Sequence, residues 1–180
     1  MQQRWIVTAL GQDQPGIVAG VTQVLYRLGC NLEDSAMTRL ESEFAVMLIF
    51  SHSKTTEERI RRAFDPMAKR LKLAIYVKPL TRSEARSPRA KGRTYLISVY
   101  GGDRPGIVFR ISELLAKSGA NITDVHTHRS SRGGPSLYAM LLEIEVPPSR
   151  PVAALEQQLK RAAKRLGVEI TFRAAESAVL

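Results

Sequence analysis

Asp13, Pro15 and Gly16 stand in the run Gly11-Gln12-Asp13-Gln14-Pro15-Gly16-Ile17-Val18, and Asn31 follows directly after Gly29-Cys30. Asp103, Pro105 and Gly106 stand in a second run, Gly101-Gly102-Asp103-Arg104-Pro105-Gly106-Ile107-Val108, with Asn121 after Gly119-Ala120. These residue types suit a small zwitterion. Pro15 and Pro105 fit the first position of a helix, where no N–H is lost, and Gly16 and Gly106 leave the next backbone bare. The free N–H groups and positive dipole end of such a helix can receive a carboxylate. Asp13 and Asp103 can take an ammonium group, and the amides of Asn31 and Asn121 supply a donor and an acceptor. An exposed dipole contact contributes only about 0.3–1 kcal/mol, whereas even millimolar affinity needs about 4 kcal/mol, so the contacts must act together. A capping role for the acids and a turn role for the asparagines stay open beside this reading, and both can hold at once.

The elements that position these residues are read from a repeat. Gly11 to Asp34 aligns with Gly101 to Asp124 at a common offset of 90 with ten identities in 24 gapless positions, among them Leu25 with Leu115 and Asp34 with Asp124. Each copy opens on an apolar strand, Trp5 to Leu10 or Tyr95 to Tyr100, that ends in the Gly/Asp/Pro turn. A helix follows, with Ile17, Val18, Val21, Val24, Leu25 and Leu28 at the spacing of one buried stripe; Ile107, Val108, Ile111, Leu114 and Leu115 repeat it. Gly29 and Gly119 sit where a helix C-terminus favours glycine. Two strands come next, 31–40 and 44–50 in the first copy, 121–129 and 137–146 in the second. The nearly continuous apolar run 44–50 predicts a strand covered on both faces or central in its sheet. Second helices begin near Thr56 and Ser149, and Pro66 is expected to bend or split the first of them. Short strands, 73–77 and 168–172, close the copies. The order βαββαβ, read twice, predicts an α+β chain of two ferredoxin-like domains, residues 1–80 and 94–175, joined by a basic, aperiodic linker, 81–93.

A hydrophobic share of 44% with 24% charged residues is that of a folded globular protein. No apolar run approaches the roughly 18 residues of a membrane span, and the start lacks a signal-type apolar stretch, so a cytoplasmic protein is expected. The lone Cys30 cannot form an internal disulfide. It aligns with Ala120, which argues for a small packed residue and against a nucleophile. His126 and His128 would share one strand face, but with only His52 besides, in the other repeat, they fall short of a metal set. The net charge of +10 collects on the second helices and the linker, where cations alternate with the apolar stripe as on a solvated face. A nucleic-acid-binding protein on a ferredoxin-like scaffold is the alternative that this charge raises; no base-stacking aromatics or recognition helix accompany it. A small hydrolase is a third reading, because acylphosphatase shares this plan and uses an Arg in the loop after its first strand. Arg104 could imitate that residue, but Gln14 replaces it in the first copy. No catalytic set, phosphate loop or cofactor fingerprint is legible, and no cofactor is expected.

The pattern Gly-x-Asp-x-Pro-Gly-Ile-Val followed by Gly-x-Asn-Leu/Ile, on a βαββαβ unit and present twice, resembles the ACT domain. The resemblance covers nearly the whole chain outside the linker. It implies a non-catalytic regulator that binds a small effector, usually an amino acid, at the interface between paired domains, within one chain or across a homodimer. Stand-alone tandem ACT regulators of transcription are similar in size; they act through a protein partner and have no DNA-reading helix-turn-helix. In the serine-binding ACT domains of phosphoglycerate dehydrogenase, the effector is held by the residue before x-Pro-Gly and by the Asn that opens the second strand. These roles fall here on Asp13 and Asp103 and on Asn31 and Asn121. That family has a His where this chain has Gly11 and Gly101, and an amide where it has the two acids, so serine specificity does not carry over. The residues expected around an effector are Gly11, Asp13, Pro15, Gly16 and Asn31 in one copy and Gly101, Asp103, Pro105, Gly106 and Asn121 in the other.

Overall fold

The computed structural model describes residues 3–53, 55–81, 92–130 and 136–175. The chain divides into two compact units, Met1–Ser87 and Pro88–Leu180. Apart from Thr81, Gly92 and Arg93, the expected linker lies outside the described residues. The first unit runs β1 (Gln3–Gln12), α1 (Ile17–Arg27), β2 (Asn31–Leu40), β3 (Glu43–His52), α2 (Glu57–Leu71) and β4 (Ala74–Pro79). The second runs β5 (Arg93–Gly102), α3 (Ile107–Ser118), β6 (Asn121–Ser130), β7 (Leu137–Val146), α4 (Val152–Leu166) and β8 (Val168–Ala174). Each unit has one antiparallel sheet, ordered β2-β3-β1-β4 or β6-β7-β5-β8, so the expected βαββαβ plan is present twice.

Strand alternation fixes which face meets the helices. Trp5, Val7 and Ala9 pair with Phe50, Leu48 and Val46, and all six are buried with Ile17, Val21 and Leu25 of α1 and Ile60, Phe64 and Met67 of α2. The second unit repeats this with Tyr95, Ile97 and Val99 against Ile144, Leu142 and Met140. Tyr95 also stacks on Phe172 with ring centroids 4.8 Å apart. β3 is an inner strand, as its apolar run implies, but its other face is uncovered: Met47 is 48% exposed. Val18 and Val108, counted in the helix stripes, are likewise exposed.

Two helix expectations are corrected. Pro66 does not split α2, which continues from Glu57 to Leu71. Pro66 lies on the exposed side, where water can serve the carbonyl that loses its N–H partner. α4 starts at Val152, three residues later than Ser149, because Pro147 and Pro148 precede a turn closed by the Arg150 N–H on the Pro147 carbonyl. α2 starts as expected, with Thr56 as its cap, the hydroxyl accepting from the Arg59 N–H at 3.3 Å.

Three of the second-helix cations are matched locally. Arg61 and Arg62 pair with Glu57 and Glu58 one turn back, and Lys160 pairs with Glu156, as on solvated helix faces. No helix among the described residues is long and apolar enough to cross a membrane.

Candidate functional site

The Gly/Asp/Pro turn is built alike in both units. The Asp13 N–H donates to the Ser42 carbonyl at 2.7 Å and the Asp103 N–H to the Ser136 carbonyl at 2.9 Å, tying each turn to the hairpin that follows β2 or β6. The acids do not cap the helices, since neither α1 nor α3 has a side-chain cap. The Asp13 carboxylate instead faces Arg39 Nη1 at 3.5 Å, and that of Asp103 faces Arg129 Nη1 at 3.6 Å. Ser136 Oγ adds a contact to Asp103 at 3.5 Å. Arg39 and Arg129 are the functional candidates that sequence reasoning missed, although they keep the offset of 90 that revealed the repeat. Tyr138 lies close by, and burial, then the Asp103 charge, pushes its phenol above the usual range.

Pro15 and Pro105 fall one residue before the helix cap and not at the first helical position. Gly16 and Gly106 are the caps, at φ 93° and 94°. A Cβ at either would meet nothing within 4 Å, so the left-handed backbone alone demands glycine there. The Gly16 carbonyl already accepts the first helical bond, from the Gly20 N–H at 2.8 Å. Gly11 and Gly101 have a different reason to be glycine. A Cβ on Gly11 would lie 2.8 Å from Leu73 Cδ2, and one on Gly101 2.9 Å from Val168 Cγ1, so both make room for the strand beside them. Gln14 donates to the Leu71 carbonyl at 2.9 Å, and the guanidinium of its counterpart Arg104 packs over Gly167. Position 14 or 104 thus ties the turn to the end of the second helix in each unit.

Asn31 and Asn121 open β2 and β6 as expected, after Gly29 and Gly119 in the left-handed region. Their distance from the turns is the finding that matters. Asn31 is in register with Ser51, and Ser51 with Arg4, nine residues before Asp13; Asn121 is in register with Glu145, and Glu145 with Thr94, nine residues before Asp103. At about 3.3 Å per residue the Asn and the Asp of one unit lie roughly 30 Å apart, at opposite ends of the sheet. No single unit brings them together.

The remaining chemical candidates are accounted for locally. His126 and His128 do share the uncovered sheet face, beside Ser98 and Tyr100 in a hollow of about 360 Å³, and His126 Nε2 meets Asp124 Oδ2 at 3.0 Å. Among the described residues, no group of three or more His, Cys, Asp or Glu side chains is placed to hold a metal ion. Burial raises the Cys30 thiol above its ordinary value, as for a packed, unreactive side chain.

Two βαββαβ units, each with two helices on one sheet face and a Pro-Gly turn opening the first helix, define a ferredoxin-like duplication. An ACT domain family model matches residues 3–78 and 93–173, and the chain belongs to the ACT domain family. The glycine cleavage system transcriptional repressor of Escherichia coli K12 is 27% identical over 169 residues, 94% of this chain and 86% of the relative. A crystal structure of an unknown protein from Galdieria sulphuraria superposes with a TM-score of 0.82 at 26% identity, covering 98% of this chain and all of that one. Another, provisionally assigned as a glycine cleavage system transcriptional repressor, superposes with a TM-score of 0.76 over 98% of this chain and 99% of its own; at 18% identity it speaks for the fold alone. The chain is therefore a tandem ACT domain protein related to a transcriptional repressor.

Proposed function

We propose that this protein is a non-catalytic cytoplasmic regulator that binds an amino acid where ACT units pair and passes the signal to a protein partner. The observation that carries this reading is the separation of Asp from Asn along an unpartnered edge strand. β2 and β6 are sheet edges, and all ten residues of β2 and nine of the ten of β6 are exposed. Such long open edges invite pairing. Two strands of this kind laid antiparallel set the start of one against the end of the other. Asn31 or Asn121 of one unit would then stand beside the Asp–Arg turn of its mate. Exposed apolar residues along the same side, Val18 and Leu32 in one unit and Val108 and Val125 in the other, give that pairing surface to bury.

The effector site would comprise Gly11, Asp13, Pro15, Gly16 and Arg39 of one unit with the Asn of the other, and Gly101, Asp103, Pro105, Gly106 and Arg129 in the reciprocal arrangement. Asp13 and Arg39 form a partly exposed ion pair, worth about 0–1 kcal/mol, so a ligand carrying both charges can replace it at little cost. Its carboxylate would face Arg39 and the helix start, its ammonium Asp13. Because ligand contacts need both units, binding favours the paired arrangement and thereby changes the surface offered to a partner. Pairing within the chain or between two copies gives the same site.

Calorimetric titration with glycine, serine and the other common amino acids, in buffer free of primary amines, tests the reading. Saturable heat from one or two of them, lost in Asn31→Ala with Asn121→Ala, is the expected result. Heat that survives the double substitution would move the site elsewhere, and silence across the panel would remove the amino acid as effector.

A further inference from the structure

One difference between the two helical layers falls where the first helix of each unit meets the second. Gly20 of α1 packs tightly on α2: a Cβ there would lie 3.2 Å from Leu71 Cδ1 and 3.3 Å from Met67 Cγ. At the same place in α3 stands Arg110, whose side chain lines a groove of about 580 Å³ between α3 and α4. A second hollow of about 390 Å³ continues it, sharing Lys117 and Gln158. The floor is apolar, with Leu114 and Leu166 half-buried over Ala162. The rim is cationic on both sides, with Arg110 and Lys117 on α3, Arg165 on α4 and Arg150 just before it, against the single acid Glu113. Glu113 is held by Lys117 at 2.8 Å and Arg110 at 3.5 Å.

An apolar floor between two basic rims is complementary to one apolar helix stripe flanked on both sides by acids. We infer that the α3/α4 groove of the second unit is the docking surface for an acidic amphipathic helix of a protein partner. The inference rests on the reading of the chain as a regulator that works through another protein, and it names the surface and the chemistry of that contact. An extended acidic segment fits less well, because alternate side chains of a strand would leave the floor.

The test uses the full chain and a fluorescein-labelled synthetic helix of about 12 residues, roughly 18 Å long, with leucines at i, i+3, i+4 and i+7 and glutamates flanking them. Anisotropy is expected to show saturable binding, weakened about tenfold or more by Arg110→Glu with Arg165→Glu and tightened by Glu113→Gln. Arg110→Gly, which gives α3 the residue of α1, is expected to close the groove and abolish binding. Arg70→Glu, at the matching position of α2, should leave affinity unchanged. Absence of binding, equal affinity for a scrambled peptide of the same composition, or an equal loss in Arg70→Glu would overturn the inference, the last two by revealing diffuse charge attraction. Circular dichroism of each variant separates a lost contact from a lost fold. Peptide binding without amino-acid heat would sink the effector reading alone, and amino-acid heat without peptide binding would sink the groove alone.

Discussion

The C-terminal caps of α2 and α4 set one backbone geometry on two different residues. Lys72 closes α2 at φ 54° and ψ 44°, and Gly167 closes α4 at φ 65° and ψ 37°. A residue with a Cβ gives up about 1–2 kcal/mol in this left-handed region. Lys72→Gly recovers that strain, returns about 0.4–1 kcal/mol through the greater freedom of glycine in the unfolded chain, and loses about 0.3 kcal/mol of charge at the carbonyl end of the helix. The net is a stabilisation of about 0.5 kcal/mol. With an m-value near 1 kcal/mol/M, the first unit's urea midpoint should rise by about 0.5 M. Trp5 makes the assay unit-specific, because it is the only tryptophan and is buried in the first unit's core. Its emission should report the shift, while Gly167→Ala lowers the second unit's stability by a similar amount, seen by circular dichroism. A Trp5 transition at the same or lower urea concentration in Lys72→Gly, with unchanged slope, would refute the strain argument.

Phe64→Ala, at a side chain with no exposed surface, should cost about 3–5 kcal/mol and remove most or all of the first unit's Trp5 transition. Cys30 should react slowly with iodoacetamide at pH 8 and faster as pH climbs through its raised value, with urea restoring the rate of a free thiol; because the folded thiol holds its proton longer, its contribution to stability falls over that same climb. Glu113 is held below the usual carboxylate range, first by its hydrogen bond from Lys117, so its side-chain NMR signal should titrate below those of other glutamates and move up in Lys117→Gln. The sign follows: whatever stability Glu113 adds is present above the ordinary glutamate value and is lost as pH falls through the folded one.

The repeat makes most of the architecture legible in the sequence alone. β2 and β7 run over 31–40 and 137–146 as their patterns predict, and the glycines at 29 and 119 take the left-handed conformation their place implies. Misses came where a local rule met a competing one. Proline statistics favour the first helical position, but with Gly16 and Gly106 as caps at positive φ the helices start two residues on, at Ile17 and Ile107. The helix-breaking rule for Pro66 is offset by exposure of that side and by packing of Ile60, Phe64 and Met67. Arg39 and Arg129 keep the repeat's offset of 90 five residues beyond the aligned stretch, yet contact with Asp13 and Asp103 depends on a hairpin folding back to the turn, which spacing along the chain does not reveal. The α3/α4 groove was equally hidden, since its lining joins residues such as Arg110 and Ala162 from helices some fifty residues apart.

What the two copies keep and what they vary points to a division of labour. Both keep the Asp–Arg turn, the Ser carbonyl that anchors it and the Asn at the far end of the edge strand. Asp, Arg and Ser meet within each unit, whereas the Asn recurs with them although it lies at the opposite end of the sheet. The proposed antiparallel pairing of edge strands would bring the two ends together at one site. On the helical layer the copies differ at Gly20 and Arg110 and at Lys72 and Gly167, among other positions. The exchange of Gly20 for Arg110 leaves Asp, Arg and Asn in place: Gly20 lies close on Met67 and Leu71 in the first unit, and Arg110 lines a basic groove in the second. On the proposed reading, the Asp–Arg turn and the Asn would answer to a small zwitterion, and the α3/α4 groove of the second unit would receive a larger acidic partner.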